Sequence, residues 1–114
     1  MQYFERHAGG EKAILVAMEV HSLSELQNDL EEFRLLASSA GAEIVGEVTG
    51  NLQKPVAKFF VGSGKAEEIA ELVAKTEADI VLFNHTLTPS QERNLERLVE
   101  CRVVDRTGLI LDIF

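Results

Sequence analysis

The sequence predicts an α/β domain: a mainly parallel sheet with helices packed on both faces, in three layers. Three observations carry this expectation. Short apolar, β-branched runs alternate with stretches whose apolar residues recur at helical spacing. The junctions carry glycine, or Ser, Thr and Asp where a helix would begin. The chain has 114 residues, 46% apolar and 26% charged, which suits one globular domain with a real core.

The elements follow in order. Ala13 to Val20, AILVAMEV, reads as a first strand buried on both faces. Ser24 is placed to cap a helix, with Leu26, Leu30, Phe33 and Ala37 as its buried stripe. Gly41 stands where that helix would end in a left-handed turn. Ala42 to Thr49 alternates and predicts a second strand, and Gly50 to Pro55 a loop. Lys58 to Val61, KFFV, predicts a short third strand. Gly62-Ser63-Gly64-Lys65 then leads into a helix over 66–76, with Ile69, Leu72 and Val73 inward. Asp79 to Phe83 is the clearest strand. Thr88-Pro89-Ser90-Gln91 carries an N-cap, a proline at the first helical position and a capping-box glutamine. Leu95, Leu98 and Val99 give that helix its buried stripe. Cys101 to Val104 predicts a last strand, closed by Asp105 to Gly108. The organisation expected is a leader over 1–12, an α/β unit over 13–108, and the start of a truncated helical segment over 109–114. The apolar ending LILDIF suggests a fragment whose continuation is a helix.

Charge narrows the function classes. Eleven Lys and Arg against 19 Asp and Glu give a formal charge of −8. This argues against a sequence-blind nucleic-acid binder and against a basic membrane-surface protein. No apolar run approaches membrane-spanning length, and the N-terminus lacks a signal-peptide core. A single cysteine, Cys101, excludes an internal disulfide and fits a cytoplasmic setting.

Three constellations could carry chemistry. Gly62, Ser63, Gly64 and Lys65 lie between a strand and a helix, where backbone N–H groups and the helix dipole favour an anion. The phosphate-loop pattern G-x-x-x-x-G-K-[ST] fails here, because Phe59 and Ala66 occupy two of its positions. The dinucleotide fingerprint fails as well, with Glu67 at the third glycine position. Two readings stand: a tight strand-to-helix turn, or a phosphate or RNA-backbone contact. The second constellation is Asn84, His85, Ser90, Arg93, Asn94 and Arg97. Arg93 and Arg97 are four apart and could grip phosphates together, or pair with Glu92, Glu96 and Glu100. The third is Asp105, Arg106 and Thr107, of which Asp105 and Thr107 are also helix-capping candidates. All three clusters follow predicted strands, so a shared rim at the carboxyl ends of the sheet is expected. No metal site is expected from His7, His21, His85 and Cys101, and no catalytic residue is assigned. A nucleophile elbow is absent, and Cys101 reads as a small core residue.

The runs FFVGSGKAEEIAELV, DIVLFNHTLTPSQERNLERL and CRVVDRTGLILDIF occur in this order and resemble the N-terminal domain of the HflX GTPases. The resemblance extends from about Ala13 to Phe114. It implies a cytoplasmic, ribosome-associated GTPase that acts on the large subunit and splits ribosomes under stress. The GTPase domain lies downstream of such a domain, outside this chain. No cofactor is then expected in this fragment, GTP and Mg belong to the full-length protein, and ATP is an open possibility. Implied partners are the large ribosomal subunit and its rRNA, and the downstream helical and GTPase domains. No membrane partner is expected, and the apolar tail makes a homodimer of the fragment conceivable. Adenine-nucleotide binding with RNA remodelling, or purely structural docking onto the GTPase, are the alternatives. Many relatives in that family carry acidic residues after the Phe that ends the strand at Asp79 to Phe83. Here Asn84 and His85 stand there, so no carboxylate role carries over. An acidic domain touching RNA needs a local basic patch, and Lys54, Lys58, Lys65, Arg93, Arg97, Arg102 and Arg106 are its candidates.

Overall fold

The computed structural model describes residues 11–20 and 30–108. The expected leader, the Ser24 cap, Leu26 and the 109–114 tail therefore fall largely or wholly outside the described residues. Within them the order is β1 (Lys12–Val20), α1 (Leu30–Ser39), β2 (Glu43–Leu52), α2 (Ser63–Thr76), β3 (Ile80–Phe83), α3 (Pro89–Val99) and β4 (Arg102–Val104).

The strands form one sheet in the order β2-β1-β3-β4, with every neighbouring pair parallel. Parallel neighbours need crossover helices, and these cover both faces. Alternation along β1 divides the core. Ala13 and Leu15 pack with Phe33 and Ala37 of α1 and with Ile80 and Leu82. Ile14, Val16 and Met18 pack on the opposite face with Ile69 and Val73 of α2 and Leu95 and Val99 of α3. This is the three-layer architecture expected. Phe33 and Phe83, both at 0% exposure, anchor the two halves. Each such ring contributes about 2–3 kcal/mol of apolar burial.

Helix ends follow the sequence signals. Gly41 adopts φ 92° after α1, a conformation costly for any residue with a Cβ. Thr88 accepts a hydrogen bond from the Gln91 N–H (3.1 Å), and the Gln91 side chain accepts from the Thr88 N–H (2.9 Å). The capping box is complete, with Pro89 in the first turn.

One expected strand does not form. Lys58 to Val61 is a turn, closed by an isolated antiparallel bridge between Val56 and Phe60. Phe60 adopts φ 70°, which no strand residue has. Its ring is buried in the core at 4% exposure, edge-on to Phe83. Burying one large ring at a chain reversal outweighs extending a short apolar run. β2 instead runs on to Leu52, and α2 begins at Ser63, ahead of the expected start.

Candidate functional site

The strand order reverses at β1, with β2 on one side and β3 on the other. Crevices at the carboxyl ends of such strands are where open parallel sheets hold ligands. Asn84 and His85 leave β3 at this edge, and Asp105 and Arg106 leave β4. Strand alternation turns the Asn84 side chain toward the α1 face, where it is 4% exposed. Its Oδ1 accepts a hydrogen bond from Arg106, and its Nδ2 has no partner among the described residues. Arg106 also meets Glu32 of α1 at 3.6 Å, and its N–H donates to the His85 carbonyl (3.2 Å). Sequence reading gave Arg106 no local duty; here it ties β3, β4 and α1 together. Asp105 accepts from the N–H groups of Leu87 (3.0 Å) and Gly108 (2.8 Å). The Gly108 bond is the capping role anticipated for Asp105. Thr107 is exposed in the helical turn that follows.

His85 turns the other way. Its ring stacks on Phe60, with centroids 4.8 Å apart and an interplanar angle of 28°. Its Nε2 accepts the Met18 N–H at 2.9 Å. Burial, together with the nearby Arg106 charge, lowers its pKa from 6.5 to about 4. Neutral His85 is therefore a structural acceptor that joins β1 to β3.

Lys65 lies on the α2 side of the sheet. Its Nζ donates to the Thr49 carbonyl (3.2 Å) and pairs with Glu68 (3.0 Å). Gly50 makes room for it, since a Cβ there would sit 3.3 Å from Lys65 Cε and 2.9 Å from Met18 Cε. Gly62 is the N-cap of α2 at φ −66° and offers no side-chain cap. Neither Gly62 nor Gly64 has positive φ, so the turn itself does not require glycine. A Cβ at either position would meet nothing within 4 Å. Ser63 and Gly64 are exposed. The sheet thus separates Lys65 from Asn84 and Arg106, and the anticipated rim is two half-sites on opposite faces.

The second constellation is sorted by α3. At roughly 100° per residue, Ser90, Asn94 and Arg97 share one side of the helix, Arg93 lies at its margin, and Glu96 and then Glu92 follow around the helix beyond Arg93. Glu96 accepts from the Val103 N–H (3.3 Å), toward β4. The Glu92 carboxyl is raised above its ordinary pKa by burial, with Asp105 and Glu96 adding to this. Next to the buried stripe, Asn94 Nδ2 donates to the Lys58 carbonyl (3.0 Å) and the buried Gln91 Nε2 to the Val56 carbonyl (2.9 Å). These two amides hold the 56–60 turn against α3. Arg93 and Arg97 are exposed, and neither has an ion-pair partner among the described residues. The alternative pairing with Glu92, Glu96 or Glu100 does not occur. Lys58 Nζ lies 5.2 Å from the centroid of the half-buried Phe59 ring. Lys58 is a basic-patch candidate from the sequence, whereas Phe59 as a surface aromatic, and the reach of the capping-box Gln91 to Val56, emerge only from the structure. The adjacent cation and aromatics of KFF were the available signal.

The remaining features are quieter. Arg102 pairs with Glu11 (3.4 Å), and Lys54 is exposed. The Cys101 thiol is pushed up to about 11, mainly by burial and then by Asp79 and Glu96, which suits an inert side chain. Among the described residues no three His, Cys, Asp or Glu are grouped to hold a metal, and no helix is long and apolar enough to cross a membrane.

Residues 27–114 match the family described as GTP-binding GTPase N-terminal. The chain is 56% identical over 111 residues to GTPase HflX of Escherichia coli, covering 97% of this chain and 26% of that protein. It is 39% identical to GTPase HflX of Flavobacterium psychrophilum, covering 91% of this chain and 26% of that one. The chain thus spans about a quarter of the length of these relatives. A GTP-binding protein from Sulfolobus solfataricus, solved in complex with GDP, superposes with a TM-score of 0.63. That match covers 90% of this chain and 30% of the other, and its 20% identity speaks to the fold alone. With the fold, the family match and these identities in agreement, the chain belongs to the GTP-binding GTPase N-terminal family and corresponds to the N-terminal domain of HflX.

Proposed function

We propose that this domain is the large-subunit-binding module of an HflX-type GTPase that splits or rescues ribosomes under stress, and that it contacts ribosomal RNA. One observation carries the reading. An acidic chain of net charge −8 keeps Arg93 and Arg97 exposed and unpaired among the described residues, on the helix whose Asn94 holds the Lys58 turn. Two guanidinium groups one helical turn apart suit successive phosphates of an RNA backbone. Glu96 is directed toward β4 by the bond it accepts from the Val103 N–H. GTP and Mg chemistry would belong to the downstream domain, with this module setting where the GTPase sits.

Adenine-nucleotide binding at Gly62 to Lys65 has less support. The Lys65 ammonium is already engaged by Thr49 and Glu68.

Co-sedimentation of the chain with large ribosomal subunits tests the proposal. Wild type should bind at low salt and be released as salt rises, because each phosphate contact displaces counterions. Arg93→Ala combined with Arg97→Ala should abolish pelleting while leaving the melting temperature unchanged. Unaltered pelleting of that double variant at low salt would refute the assignment.

A further inference from the structure

We propose that Phe59 is a stacking platform for an unpaired RNA base, so that Lys58, Phe59, Arg93 and Arg97 together select single-stranded RNA over duplex. The inference rests on the RNA-binding reading above and adds the class of RNA.

The 56–60 turn is fixed from three directions. Gln91 and Asn94 hold the carbonyls of Val56 and Lys58. Val56 and Phe60 exchange backbone hydrogen bonds at 3.0 and 2.8 Å. The Phe60 ring is locked between Phe83 and His85 while its backbone holds φ 70°. A left-handed aromatic residue persists only where its surroundings over-determine it, and such strain gathers at functional positions. Its effect here is to hold the preceding residue, Phe59, at the surface. That ring is half-buried, with one part packed on the core, and the exposed Lys58 side chain places its ammonium over the ring, 5.2 Å from the centroid; a stacking base would displace this flexible chain to the base's edge or to a phosphate.

An aromatic ring beside a cation, next to exposed arginines, is the composition of single-strand sites. Every unpaired base offers a face to such a ring, whereas the stacked bases inside an A-form duplex offer none. Charge favours the same choice. The cationic strip is narrow and is flanked across α3 by Glu92 and Glu96. A flexible single strand can follow the strip, but a rigid duplex brings further phosphates toward those carboxylates.

The test is fluorescence anisotropy on the 114-residue chain with a labelled oligouridine of about twelve nucleotides and an RNA duplex of the same length. Wild type should prefer the single strand about ten-fold. Phe59→Leu should weaken single-strand binding about ten-fold, leave duplex binding unchanged and keep the same salt slope. Arg93→Gln should instead reduce that slope by about 0.7 on the logarithmic scale. Phe59→Trp should bind the single strand at least as well as wild type. Should Phe59→Leu lower the melting temperature into the assay range, Phe59→Trp alone decides: single-strand affinity at or above wild type with duplex binding unchanged supports the platform, and weaker single-strand binding overturns it. An equal loss on both RNAs in Phe59→Leu, or no loss on the single strand, overturns the stacking role and leaves the RNA-binding reading standing. Wild type that binds neither RNA overturns both.

Discussion

Acidification should destabilise this domain through His85. The ring stacks on Phe60, and its Nε2 accepts the Met18 N–H at 2.9 Å. Protonation at Nε2 would remove that acceptor and set two donors face to face. Burial is the main reason the folded-state pKa lies near 4, against 6.5 for a free imidazole. The unfolded chain therefore binds a proton between these values while the folded chain does not. Stability from this residue is fully present above about pH 6.5 and is lost as pH falls toward 4. The shift corresponds to about 3 kcal/mol at most, and water access to part of the ring reduces this to about 2 kcal/mol. Urea unfolding at neutral pH and near pH 4.5 would measure it. His85→Gln keeps an oxygen acceptor near the Nε2 position and removes the titration. Carboxylates titrate in both proteins, so the difference between their pH profiles isolates His85. Wild type should lose about 2 kcal/mol more than the variant across this range. Parallel profiles would refute the reasoning.

Three further outcomes are expected. Thr88→Ala removes one half of the capping box and should cost about 1 kcal/mol in urea unfolding; an unmoved midpoint would show the box to be redundant. Asn84→Ala takes away the Arg106 acceptor and should cost about 1–2 kcal/mol, with faster hydrogen exchange at the Arg106 amide that bonds His85. Phe60→Ala empties a core position and should cost about 3–4 kcal/mol. Phe60→Gly should cost about 1 kcal/mol less than Phe60→Ala, because glycine accepts φ 70°. Equal costs would mean the backbone strain is not real.

The legible parts of the fold are those set by local chemistry. The Thr88-Pro89-Ser90-Gln91 start of α3, the turn at Gly41 and the buried strands β1 and β3 each follow from a few neighbouring residues. Lys58 to Val61 misleads for a definite reason. A short apolar run has no period to separate a strand from a turn whose aromatic side chain drops into the core. Only the contacts of Phe60 with Phe83 and His85, remote in sequence, distinguish them. The candidate site divides in the same way. Arg93, Asn94 and Arg97 sit together because helical spacing puts them there. The reach of Lys65 to Thr49 and the bridge from Arg106 to Asn84 and Glu32 depend on sheet order and face. Sequence placed all these groups at one edge of the sheet. It could not assign them to opposite faces, because that depends on the register of strands far apart in the chain.

The strand order has a consequence during synthesis. β1 emerges from the ribosome early and finds β2 some thirty residues later, but its other flank stays open until β3 has been made. At roughly 5–20 residues per second, that flank is uncovered for several seconds while α2 is being translated. A nascent chain stalled before Ile80 would present a bare, β-branched ribbon to any chaperone or sticky neighbour near the exit tunnel. Release from that hazard comes only when Ile80 to Phe83 closes the gap.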